Sequence, residues 1–227
     1  QIEKFKSTGV YFINQTDYNS GLLFRYGVRY DENRIGTDSE AFIPLNKFNP
    51  SLGVSYSIND SNNIYLSTGT SFETPTLNEL SNNPSGNGLN KNLDPSSSVN
   101  YEIGWRKTNS NLMFEAVAYL INTDNEILPY ELEQFPGKNF YRNVGSTRRY
   151  GIELNSQLLF STGKLNLSYT NAKNTFNDFI LDGNDLKGLL LPGIPNQILD
   201  IELIFNLSKR RTLLINNRLI GELFADN

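Results

Sequence analysis

The segments that join the strands constrain this chain more than any single residue does. About ten stretches of alternating apolar and polar residues follow one another, and the connections between them alternate short and long. The short ones, at 17–21, 59–63, 107–111, 161–164 and 208–211, are polar and turn-forming. The longer ones lie at about 31–46, 73–97, 124–145 and 174–195, with a fifth beginning near Gly221. Every second connection is therefore long. This predicts an antiparallel up-and-down sheet with its turns at one end and its loops at the other.

The strands also sort their side chains. Val99, Tyr101, Ile103 and Trp105 alternate with Asn100, Glu102, Gly104 and Arg106, setting an apolar face against a polar one. Ile152, Leu154, Leu158 and Phe160 oppose Gly151, Glu153, Asn155 and Gln157, with Ser156 the one soft spot. Leu22, Phe24, Tyr26 and Val28 oppose Arg25, Gly27 and Arg29, with Leu23 the exception. Leu52, Val54, Tyr56 and Ile58 oppose serines and Gly53, and Leu199, Ile201, Leu203 and Phe205 oppose Asp200, Glu202 and Asn206. Runs of about ten residues, tilted by about 40°, span a hydrocarbon band of about 25 Å. The expected fold is thus all-β, a transmembrane β-barrel with short periplasmic turns, long extracellular loops, a lipid-facing parity and a lumenal one. Glu102, Glu153 and Glu202 are expected in the lumen, hydrated or paired with Arg25, Arg29 or Arg106.

Composition narrows the function. Hydrophobic residues make up 38% of the chain and no apolar run suits a spanning helix, which excludes a helical membrane protein. The 12 Tyr and 14 Phe suit aromatic girdles. With no Cys and no His, thiolate sites, the commonest metal ligand and the usual general base are all missing, so neither an enzyme nor a metal or cofactor site is expected. The cluster Asn122, Asp124, Asn125 and Glu126 lacks the glycine and terminal glutamate of a calcium loop. A net charge of −4 with scattered basic residues gives no footprint for nucleic acid. The chain starts without a signal peptide and ends after an unpaired strand, so a single segment of a longer barrel is expected.

Residues 71–106 then carry a resemblance. Phe72, Pro75, Thr76, Leu77, Glu79 and Leu80, followed by Asn90, Leu93 and Pro95 and by Tyr101, Glu102 and Gly104, resemble the carboxy-proximal barrel of TonB-dependent outer-membrane receptors. The stretch from Tyr141 with Asn143, Gly145, Gly151 and Glu153, and the LPGIPNQ step from Leu191, are similar to the same family. Ser96 departs from it, standing where the family usually has Glu. The resemblance implies about ten of an expected twenty-two strands, with the plug, the TonB box, and the early and last strands absent from this chain. It further implies a bacterial outer-membrane location and uptake of a scarce nutrient, foremost a ferric siderophore or other iron chelate. The partners it implies are membrane lipid, lipopolysaccharide, and the TonB complex acting through the plug.

For ligand contact the segment 124–145 stands out, because Tyr130, Phe135, Phe140 and Tyr141 sit among polar residues. Arg142, Arg148 and Arg149 are placed to meet an anionic chelate at the outer end of a strand. Each has a plainer reading: Phe140 and Tyr141 as loop packing, the arginines as rim or lipopolysaccharide contacts, Pro75 and Pro95 as stiffeners of a long loop. Two other architectures are compatible with alternation, a soluble all-β sandwich binding module and a ten-strand passive porin.

Overall fold

The computed structural model of the protein describes residues 3–39, 41–86, 88–181 and 183–224; the chain ends at Gln1 and Asn227, on which the expectation of a segment rests, lie outside them. In chain order the elements are β1 (Glu3–Tyr18), β2 (Leu22–Thr37), β3 (Ile43–Asn59), β4 (Asn62–Glu73), α1 (Leu77–Ser81), β5 (Ser96–Thr108), β6 (Leu112–Asp124), β7 (Ile127–Glu131), β8 (Asn139–Asn143), β9 (Ser146–Phe160), β10 (Gly163–Asp178), β11 (Ile180–Leu181), β12 (Asn184–Asp185), β13 (Gln197–Ser208) and β14 (Arg211–Ile220). Ten of these strands form one antiparallel sheet in the order β1-β2-β3-β4-β5-β6-β9-β10-β13-β14. The pairs β7-β8 and β11-β12 are small hairpins carried in the loops.

All five short turns fall where the polar segments predict. Asparagines close some of them: Asn109 Oδ1 accepts from the backbone N–H groups of Asn111 at 3.0 Å and Leu112 at 2.8 Å, replacing ladder bonds that the turn cannot make.

Partners in an antiparallel ladder project to one face, so the register fixes which side chains share a side. One row crosses all ten strands as Tyr18, Leu22, Tyr56, Ile64, Trp105, Ala116, Leu154, Tyr169, Leu199 and Leu219, every one apolar or aromatic. A row of the opposite parity reads Gln15, Arg25, Gly53, Ser67, Glu102, Tyr119, Gly151 and Ala172. The apolar parity is exposed at Leu52, Ile103, Trp105 and Ile152, and among the described residues no second sheet lies against it. That removes the sandwich reading. The passive-porin reading fails as well, because closure at ten strands requires β1 to pair with β14 and each pairs on one side only. On β9 the outward aromatics Tyr150 and Phe160 stand ten residues apart, which on a tilted strand matches a band of about 25 Å.

One expected loop is mostly strand. Residues 31–46 are expected as a long connection, yet β2 runs through Asp31, Glu32, Asn33 and Arg34 to Thr37 and β3 resumes at Ile43. The strands outrun the hydrocarbon layer, and above it both faces can be polar. Glu32 and Arg34 pair at 2.5 Å on the outward side, and Asp31 meets Arg29 at 2.7 Å on the lumenal side. The segment from Asn174 likewise stays in β10 as far as Asp178.

Among the described residues the wall has no buried apolar core of its own. The buried hydrophobic residues, Ile35, Leu80, Leu89, Leu93, Phe140, Val144, Phe176 and Leu191, all lie at the outer strand ends or in the loops. One cluster joins Ile35, Leu80, Leu89 and Leu93 with Ile127 and Tyr141; a second joins Val144, Phe176 and Leu191 with Leu128 and Phe179. Since neighbouring residues of a strand face opposite ways, Ile127 and Leu128 serve one cluster each and β7 is the seam between them.

Because the chain carries no cysteine, nitroxide labels at single sites test the two faces directly. A label at Ile103→Cys should be quenched by oxygen dissolved in lipid, and one at Glu102→Cys should not. Equal quenching at both would refute the assigned parity.

Candidate functional site

On the lumenal side, Tyr65 lies directly opposite Gly104 in the β4-β5 ladder. A Cβ at Gly104 would overlap the Tyr65 ring and stand 2.6 Å from its hydroxyl, so the bare backbone is what lets the ring lie across the neighbouring strand. The hydroxyl then donates to Glu102 at 2.5 Å and reaches Glu115 at 3.4 Å. Arg106 stacks 4.6 Å over the same ring and donates to Glu115 at 2.6 Å. Tyr119 repeats the device, crossing to its ladder partner Gly151, where an added Cβ would stand 3.0 Å from the Tyr119 hydroxyl. Both motifs that pair a glycine with a glutamate, Glu102-x-Gly104 and Gly151-x-Glu153, are thus seats for a tyrosine from the strand before. Tyr65 and Tyr119 are not evident in the sequence, since only the cross-strand register brings them to their glycines.

The expected acid–base pairing is different in detail. Glu102 is held by Tyr65, Arg106 by Glu115, and Arg29 by Asp31, while Glu202 accepts from Asn166 at 2.6 Å. Arg25 and Glu153 line the concave lumenal surface together with Glu102, Tyr119 and Arg149.

The earlier motif residues build the loops. Thr76 is the N-cap of α1: its hydroxyl accepts from the Glu79 N–H at 3.2 Å, and the Glu79 carboxylate accepts from the Thr76 N–H at 2.7 Å. This reciprocal cap was legible as Thr-x-x-Glu before an apolar residue. Pro75 and Leu80 are fully buried, Leu77 and Leu93 belong to the first cluster, and Asn90 donates its N–H to the Leu80 carbonyl at 2.7 Å. Phe72 and Tyr101 face outward, Pro95 leads into β5, and the motif's folding role covers most of its length. Thr76→Ala should cost about 1 kcal/mol of local stability. Faster hydrogen exchange across 76–82 checks it.

The candidate ligand residues separate. Tyr130 and Phe140 are cross-strand partners with ring centroids 6.1 Å apart, and Phe135 packs 5.7 Å from Phe140. Phe140 is 1% exposed and is a packing residue, whereas Phe135 stays 47% exposed. Tyr141 turns to the first cluster, within 3.5 Å of Asn78. Arg142 sits between Tyr130 at 4.5 Å and Phe179 at 5.6 Å, and Lys138 lies 5.0 Å over Phe140. Lys138 and Phe179 join this cation–aromatic group although nothing in the sequence singled them out; Phe179 arrives from a different loop. Arg149 points inward and is taken by Glu126 and Thr147: its Nη1 donates to Glu126 Oε2 and Thr147 Oγ1, each at 3.0 Å, and its Nη2 makes a further short bond to Glu126. Arg148, the next residue along, faces outward, with its Nε 3.0 Å from Asn122 Oδ1. The three arginines do not converge on one site.

Residues 1–208 match the family described as TonB dependent receptor-like, beta-barrel. Over 130 residues, 57% of this chain and 19% of the relative, the sequence is 31% identical to the Vitamin B12 transporter BtuB of Vibrio vulnificus. Among solved structures it is similar to the Copper transporter OprC, with a TM-score of 0.74 and 18% identity over 99% of this chain and 35% of that one. It is similar to the ferric-catecholate import receptor Fiu from K12 E. coli, with a TM-score of 0.73 and 17% identity over 97% of this chain and 35% of that one. The chain therefore spans between 19% and 35% of the length of these three relatives. From the family match together with the continuous outward band, this chain belongs to the TonB-dependent receptors and is part of their outer-membrane β-barrel wall.

Proposed function

We propose that this wall serves an energy-coupled receptor that takes up a ferric siderophore or a similar iron chelate. The observation that carries the reading is the group formed by Arg142, Lys138, Tyr130, Phe135 and Phe179 on the loop side of the wall. Stacking on aromatic faces leaves the guanidinium edge of Arg142 free for an anionic oxygen, and exposed Phe135 offers an apolar surface beside it. Anionic chelates with flat or greasy arms present that combination of chemistry. A plug domain would fill the lumen against Glu102, Tyr119 and Arg25, and the TonB complex would act on the plug to open a path for the bound chelate.

A corrinoid is the second reading, favoured by the 31% identity to a B12 transporter. The two separate in cells where the complete receptor is the only high-affinity route. Growth on ferric siderophore under iron limitation should depend on the receptor and fall about tenfold in uptake with K138A/R142A, the loss of two charge-assisted contacts. Rescue of cobalamin-limited growth alone would overturn the iron reading.

A further inference from the structure

Consecutive residues of a strand face opposite ways, so Arg148 and Arg149 cannot serve the same ligand. Arg149 has Glu126; Arg148 stands in the outward row Val99, Asn122, Arg148 and Thr175. Among the described residues no carboxylate pairs with it, including Asp124, which faces outward one step above Asn122 on β6. Lys173 on β10 is the ladder partner of Tyr150, is exposed, and has no carboxylate partner among the described residues either. Two uncompensated cations thus flank an exposed tyrosine ring at the loop end of the apolar band.

Below them the same face turns apolar. Tyr150 is followed on β9 by Ile152 and Leu154, and their β6 partners are Leu120, Ala118 and Ala116. The two alanines lie between Ile103 and Trp105 on one side and Ile152 and Leu154 on the other, leaving a shallow groove in a surface otherwise built of large side chains. This face points away from the lumen, so it does not meet cargo passing through the barrel. It faces the outer leaflet.

We propose that this is a lipopolysaccharide site, in which Arg148 and Lys173 bind a phosphate of the lipid A headgroup and one acyl chain lies in the groove floored by Ala116 and Ala118. Charge complementarity fixes the headgroup end, and the extracellular position of the cations selects the lipid of the outer leaflet. Tyr150 then sits at the boundary between the two, where an amphipathic ring is most stable.

The test is native mass spectrometry of the complete receptor, expressed in an outer membrane and extracted in mild detergent. The native protein should carry a retained lipopolysaccharide molecule. R148E/K173E should lower that occupancy about tenfold or more, and A118F, which fills the groove without touching the charges, should lower it several-fold. Assembly of each variant is checked by its heat-dependent gel shift, and R148Q/K173Q replaces the glutamate pair should that variant not assemble. Unchanged occupancy in the charge variant, or a phospholipid retained in place of lipopolysaccharide, would overturn the proposal.

Discussion

Replacing Gly104 with valine should destabilise the wall by about 3 kcal/mol or more and cut the yield of assembled barrel sharply, because two costs fall together. The new side chain occupies the space of the Tyr65 ring, and the ring cannot leave without releasing its bond to Glu102 and the stacked Arg106. Glu102 and Glu115 would then share the lumenal surface with one fewer donor. The measurement is the fraction of receptor that resists unfolding in sample buffer before heating, followed across a urea series. Tyr65→Ser should be milder alone, and adding it to Gly104→Val should recover part of the loss. Without that recovery, the glycine would be needed for some reason other than the tyrosine.

Removing the carboxylate of Glu126 should have the largest effect in the loops. Glu126 accepts from Arg149 and from the hydroxyl of Thr147, and Arg149 Nη1 also donates to Thr147, so the three side chains close a ring. The side chains are only 23% and 16% exposed at Arg149 and Glu126, which makes an orphaned guanidinium costly. Glu126→Ala should lower local stability by about 2–4 kcal/mol, somewhat below the cost of breaking a fully buried pair because some water reaches it. Hydrogen exchange across β7, β8 and the start of β9 should accelerate by a factor of tens or more. Glu126→Gln keeps an acceptor for Thr147 and should lose roughly half as much. Unchanged exchange in the alanine variant would mean that water already satisfies Arg149.

Legibility from the sequence followed the range of the forces involved. The turns at 17–21 and 107–111 and the outward row through Ile103 and Trp105 are local matters of turn chemistry and period-two spacing, and they stand as read. Residues 31–37 are strand rather than loop, because a strand that rises beyond lipid has no reason to be greasy. The Thr76 cap is visible in its Thr-x-x-Glu spacing. Tyr65, Lys138 and Phe179 were hidden for another reason. Tyr65 and Phe179 have their partners on other strands or loops, so no short window contains both members of the pair, whereas Lys138 lies within three residues of Phe135 and Phe140 and is hidden because spacing in a loop does not fix which side chains stack. Of the arginines, parity alone separated Arg148 from Arg149, a distinction available from the sequence once the strand was assigned.

Asn143 donates through its side-chain amide to the carbonyls of Asp94 at 2.8 Å and Asn125 at 2.7 Å, and its side-chain oxygen accepts from the Asp94 N–H at 2.8 Å. One residue thereby buttons the loop after α1 to the loop that carries Arg142, and the seam at β7 extends the tie to the loop after β10. Three loops fastened in this way form one packed cap rather than separate fingers. Transplanting one loop between receptors would therefore leave half a hydrophobic core behind.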